Sequence, residues 1–292
     1  MNDGTVVAPD GVEIAYRDYG GRGRGLVLLH GVGANLVTMD QYAERLGTGR
    51  RVVSIDIRFC GQSGEADRFR WPDAVADIEA VTGALGLGEF DVVGHSLGGI
   101  VAGHYATAHP QARIVNIDGF GTGTASQGNA ADADAMIQFR RRAAAGLLAM
   151  TAPPAEGDLA WKEVQAQLIR PRFQAFGYTA PNIDQVIERH FVALPDGRYR
   201  RHPTRRLIED TSEETRPRNV LHMFRGNTTP TLIIHCTNSG WPPVLTAELD
   251  ELAATDPNVR IARLPITHMA PAWDALDQVT DLIIQFLANT AR

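Results

Sequence analysis

Phe90-Asp91-Val92-Val93-Gly94-His95-Ser96-Leu97-Gly98-Gly99-Ile100 decides the fold. A β-branched apolar run leads into a turn of small residues, and an apolar helical stretch reaching His109 follows until Pro110 stops it. A serine between a buried strand and a helix N-terminus sits on a strained turn that admits only small neighbours, which Gly94 and Gly98 supply. The turn lifts the hydroxyl out of the sheet, where the helix dipole favours developing negative charge. Ser96 is therefore read as an activated nucleophile.

Outward from this stretch the first half alternates strand and helix. Short runs bounded by glycine or charge recur at Val12 to Tyr16, Gly25 to His30, Arg51 to Asp56 and Arg113 to Asp118. Such runs suit strands buried on both faces of a parallel sheet. Trp71 to Leu85 carries apolar residues near a 3.6-residue period and predicts a covering helix. The alternation stops after Phe120. Helices are predicted around Ala133 to Met150, Asp158 to Ile169 and Asn182 to Phe191, with a turn at Pro195-Asp196-Gly197. The strand pattern returns with Pro230 to His235 and Val259 to Leu264, and an amphipathic helix from Ala275 to Leu287 follows. The expected architecture is α/β, a mostly parallel sheet covered on both faces, with residues 1-120 and 229-292 as its core. Residues 121-228 are expected to form an inserted helical cap.

Apolar residues make up 44% of the 292-residue chain and charged residues 21%, the balance of a soluble globular protein. A net charge of −6 argues against an electrostatic grip on nucleic acid. No stretch approaches the ~20 apolar residues that span a bilayer. The opening Met1-Asn2-Asp3-Gly4-Thr5 lacks the basic and apolar regions of a secretory signal, so a cytoplasmic protein is expected. Cys60 and Cys236 lie far apart, without the Cys/His spacing of a metal site, and read as buried free thiols. Neither a metal nor a cofactor is expected. Between residues 121 and 229 basic side chains outnumber acidic ones by three. An Arg-rich solvated surface explains that as well as an anion-binding patch does.

Four motifs in order extend the reading: His30-Gly31-Val32-Gly33, Asp56-Ile57-Arg58-Phe59-Cys60-Gly61-Gln62-Ser63, Gly94-His95-Ser96-Leu97-Gly98-Gly99 and Thr267-His268-Met269. With them the chain resembles the α/β-hydrolase superfamily over nearly its whole length, in the capped serine esterase and lipase style. The resemblance implies His268 as general base and an oxyanion hole built from the backbone N–H groups of Val32 and Leu97. An imidazole suits the base because its unperturbed pKa lies near neutrality. His30 is expected to brace its loop, and at most one of His190, His202 and His222 to reach substrate. Phe59 stands where the family usually has glycine, which bears on the loop's conformation.

The supporting acid departs from the family's commonest place. The loop after the strand ending at His235 reads Cys236-Thr237-Asn238-Ser239-Gly240-Trp241, without a carboxylate. Some members take the acid one strand earlier, which here is Asp118; an Asn238-assisted dyad is the alternative. The implied reaction is hydrolysis of a small-molecule ester, lactone or thioester through an acyl-enzyme on Ser96. A carbon–carbon bond hydrolase or lyase on the same triad, or a non-catalytic ligand-binding relative, stays open. Met136, Phe139, Trp161, Phe173, Phe176 and Phe224 are candidate pocket or cap-core residues. Oligomeric state is not legible.

Overall fold

A computed structural model describes residues 1–120, 130–151, 155–175, 182–215, 220–269 and 275–289. Eight strands form one sheet. They are β1 (Asn2–Val7), β2 (Glu13–Gly20), β3 (Gly25–Leu29), β4 (Arg51–Ile55), β5 (Phe90–His95), β6 (Ile114–Ile117), β10 (Thr231–Cys236) and β11 (Val259–Leu264), in spatial order β1-β2-β4-β3-β5-β6-β10-β11. From β4 to β11 every pairing is parallel, whereas β1 and β2 add antiparallel at one edge.

The period of two along each strand sorts the core into two layers. Val27, Leu29, Val53, Ile55 and Val92 face one cluster, with helices α2 (Trp71–Ala84), α3 (Leu97–Ala108) and α8 (Pro243–Thr255) packed over it. Leu26, Leu28, Val52 and Val93 face the other, covered by α1 (Asp40–Leu46) and α9 (Leu276–Asn289). The sheet is thus parallel in the main and covered on both faces. Strand β1 escapes sequence reading because its residues are mostly exposed, so no hydrophobic alternation marks it.

β6 and β10 are neighbours in the sheet, with Ile117 beside Ile234, yet more than a hundred residues separate them. The intervening segment holds α4 (Ala130–Met150), α5 (Leu159–Ala175), α6 (Ile183–Glu188) and α7 (Arg205–Thr215). It also carries a small antiparallel sheet of β7 (Glu156–Gly157), β8 (Phe191–Ala193) and β9 (Tyr199–Arg201), in the order β7-β9-β8. The helix predicted over Asn182 to Phe191 therefore ends early. Phe191 starts a strand because the Pro195-Asp196-Gly197 turn, with Gly197 at φ 82°, folds β9 back onto β8. A third cluster seats the segment on the sheet layers, with Leu36 and Val37 meeting Phe173, Val186, Ile187 and Phe191.

Candidate active site

At the end of β5 the chain turns sharply. Ser96 has φ 53° and ψ −116°, a left-handed conformation that costs a non-glycine residue strain and is held by its surroundings. Its N–H donates to the Ile117 carbonyl at 2.9 Å, and its carbonyl accepts from Ile100 N–H at 3.2 Å. The flanking glycines are sterically required: a Cβ at Gly94 would stand 2.1 Å from the Gly98 carbonyl oxygen, and one at Gly98 2.4 Å from that of Leu29.

Two side chains from other loops complete a chain of hydrogen bonds. His268, on the loop after β11, has Nε2 2.9 Å from Ser96 Oγ and Nδ1 2.7 Å from Asp118 Oδ2. Asp118 follows β6, itself at φ 51°, with its N–H donating to the Ile234 carbonyl. A carboxylate accepts only, so Nδ1 carries the proton and donates to Asp118. That leaves the Nε2 lone pair to accept from the serine hydroxyl.

Asp118 is fully buried and needs several donors. Cys236 N–H reaches Oδ1 at 2.9 Å, while Ser239 Oγ and Trp241 Nε1 each donate to Oδ2 at 3.0 Å. Burial alone would raise the carboxyl pKa. The hydrogen bond and charge of His268, then the indole and the Cys236 amide, outweigh it and hold the group below its ordinary value. Asp118 stays ionised. Asn238 lies off this network, its amide donating to the Pro265 carbonyl at 2.7 Å, so it does not orient the His268 ring.

Ser239 and Trp241 are partners that motif matching misses. The signal was present: the loop that lacks an acid is rich in donors, which is the complement of an acid supplied from elsewhere. His95 is another. Its Nε2–H donates to the His268 carbonyl at 2.8 Å, and its ring lies 4.9 Å from that of His268. Burial foremost, and then the neighbouring His268, push its pKa down to about 3, so it is a neutral brace.

His30 braces its loop as expected. Nδ1–H donates to the Gly31 carbonyl at 2.8 Å and Nε2 accepts from Ile57 N–H at 3.1 Å. The Asp56 loop is architectural: its carboxylate accepts from Leu36 N–H, Gln62 N–H and Arg189 Nε. Phe59 adopts φ 67°, the region glycine favours, and its buried ring in the core offsets that strain. The loop thus keeps a left-handed residue without a glycine.

A cavity of about 650 Å³ opens beside Ser96 and His268. Val32, Leu97 and Trp241 line it, and α4 and α5 contribute Phe139, Leu147 and Phe173. Of the other aromatic and Met candidates, Met136 and Phe224 are buried in the interior and Trp161 packs half-buried against the third cluster instead, while Phe176 lies outside the described residues. Both His190 and His202 line the cavity, because the β8–β9 sheet turns the two toward the same wall. Among the described residues no group of three or more His, Cys, Asp or Glu side chains is arranged to hold a metal ion.

A family model described as alpha/beta hydrolase fold matches residues 26–239. The chain is 36% identical over 97 residues to an N-formylmaleamate deformylase of Pseudomonas putida, a stretch covering 32% of this chain and 36% of the relative. It is 40% identical over 90 residues to a pimeloyl-[acyl-carrier protein] methyl ester esterase of Chromobacterium violaceum, covering 31% and 34%. The chain thus spans about a third of the length of these curated relatives. Its fold is similar to that of E-2-(acetamidomethylene)succinate hydrolase, with a TM-score of 0.77 at 19% identity, covering 98% of this chain and 99% of the other.

Proposed function

The chain belongs to the alpha/beta hydrolase fold family, and from that premise we propose that it is a serine hydrolase of small acyl substrates. The observation that carries the reading is the unbroken run Asp118–His268–Ser96, at 2.7 and 2.9 Å, opening on a largely apolar cavity. In this reading His268 Nε2 takes the Ser96 proton as Oγ attacks the scissile carbonyl, and Asp118 steadies the resulting imidazolium. The oxyanion faces the Val32 and Leu97 N–H groups. His268 then returns the proton to the leaving group, and a water activated by the same ring hydrolyses the acyl-enzyme.

Residues 1-120 and 229-292 serve as the catalytic core, and 121-228 as the cap that encloses the substrate. Carboxylic esters, lactones and thioesters fit this chemistry. A second reading, cleavage of an acyl–nitrogen bond, draws on the relative whose name makes it a deformylase of N-formylmaleamate. Two buried free thiols, Cys60 and Cys236, support a reducing, cytoplasmic setting. No helix among the described residues is long and apolar enough to cross a membrane.

A fluorophosphonate probe tests the assignment. Wild type should be labelled and should hydrolyse short esters, and Ser96→Ala should lose labelling and about 10⁴-fold or more of the turnover. An unlabelled wild type, or equal labelling of the variant, would reject the enzyme reading.

A further inference from the structure

One stretch of the cavity wall differs from the rest. It is made by Arg172 on α5, His190 just after α6, and Arg201 at the end of β9, all lining the same cavity as Ser96. Arg201 is 7% exposed, and its guanidinium donates from Nη1 to the neutral Gln165 side chain. Burial, and then the charge of Arg172 beside it, lower the Arg201 pKa. Two neighbouring guanidiniums, one of them desolvated, repel each other, and an anion between them reverses that cost.

His190 stands alongside, 2% exposed, with a buried Nδ1 that has no hydrogen-bond partner among the described residues. Its ring stacks on Phe173 at 5.6 Å. His202, the next histidine on this wall, is engaged, with Nδ1 3.1 Å from the Gly61 carbonyl and Nε2 3.6 Å from Glu65. Arg142 on α4 adds a third guanidinium to the cavity. The acidic side is bare by comparison. Asp118 is the one carboxylate among the described lining residues, and His268, Ser239, Trp241 and the Cys236 amide already occupy it.

We propose that this wall is a carboxylate subsite: the ligand of the Ser96 cavity carries a free carboxylate, taken by the Arg172 and Arg201 guanidiniums with His190 beside them. The planar forks of two arginines match a carboxylate's two oxygens. Phe139, Leu147 and Ile169 on the remaining wall suit a short hydrocarbon chain between that carboxylate and the acyl group. In calling the ligand a substrate the inference rests on the hydrolase reading; the anion site itself does not.

The test separates the two. Ser96→Ala protein is titrated calorimetrically with the monomethyl esters of glutarate, adipate and pimelate, each against the same ester with its free acid converted to a primary amide. At least one acid should bind roughly tenfold to a hundredfold tighter than its amide. Adding Arg172→Gln, at an exposed position that tolerates change, should erase most of that preference. Arg201→Gln should do the same, with circular dichroism to establish that the buried substitution folds. Equal binding of acids and amides, no measurable binding of any acid, or a preference unchanged by Arg172→Gln would overturn the subsite. Absence of wild-type turnover alongside an intact acid preference would reject the hydrolase and uphold the subsite.

Discussion

The sheet and the segment between β6 and β10 hold their side chains by different means. Ser96, Asp118 and His268 lie on loops leaving the ends of parallel strands β5, β6 and β11, and backbone bonds to neighbouring strands anchor the first two. In a parallel sheet every strand constrains the next, so a loop at its edge inherits the register of the whole. The segment has no such frame. Its helices meet the sheet layers through the cluster around Leu36 and Val37, through Leu207 of α7 in the main core and through Arg189 on Asp56, and one another through ion pairs such as Lys162–Glu188 and Arg170–Asp184. Helix α5 leaves Leu159, Val164 and Leu168 more than half exposed. Exposed ion pairs of this kind stabilise little. Ser96, Asp118 and His268 thus sit on loops of the sheet, and much of the cavity wall on the segment.

Substitutions sharpen that contrast, because damage on the sheet side should appear in kcat and damage on the segment side in KM. Asp118→Asn should have the largest effect. An amide in place of the carboxylate removes the charge and turns one of its two acceptor oxygens into a donor, so the His268 tautomer is no longer fixed, and kcat should fall about 10³- to 10⁴-fold with folding preserved. Full turnover in this variant would dissolve the contrast at its centre. Trp241→Phe removes one donor from Asp118 and keeps most of the packing against Phe120 and Phe139. A roughly tenfold loss of kcat is expected, with KM nearly constant; a change in KM alone would make Trp241 a wall residue.

Acid should strain both regions alike. His95 on the sheet and His190 in the segment are each held neutral, with burial foremost among the causes pushing their pKa down to about 3. The unfolded chain binds a proton at each below its ordinary pKa of 6.5, while the folded chain does not until about 3. Stability is therefore complete above pH 6.5 and is lost as pH falls through that window, by up to about 1.4 kcal/mol per pH unit per histidine. Thermal unfolding at pH 7 and pH 5 should show this, and His190→Gln should shallow the slope. A slope identical to wild type would mean that His190 is protonated in the folded protein. Phe139→Ala should have the smallest effect, raising KM a few-fold for bulky esters with kcat unchanged, as read from steady-state kinetics.

How much was legible in sequence follows the same division. Buried strands announce themselves through apolar runs, and the turn at Ser96 through the glycines it needs, because both requirements act within a few residues. The exposed edge strand β1 and the β8–β9 hairpin do not, since exposure removes the alternation and a three-residue strand is too short to display a period. For the candidate site, Ser96 and His268 stood out by motif. Asp118 could only be weighed against Asn238.

The local chain thus settles where a strained serine turn must be, what small residues surround it, and that a parallel sheet carries it. Which group turns toward His268 is decided by convergence over long separations. Asp118 lies 150 residues from His268 and more than 120 from Ser239 and Trp241, the donors that keep it ionised. The arginines obey the same rule. Sequence counts the excess of positive charge between residues 121 and 229, but only packing brings Arg172 and Arg201 to one cavity wall and buries the second of them.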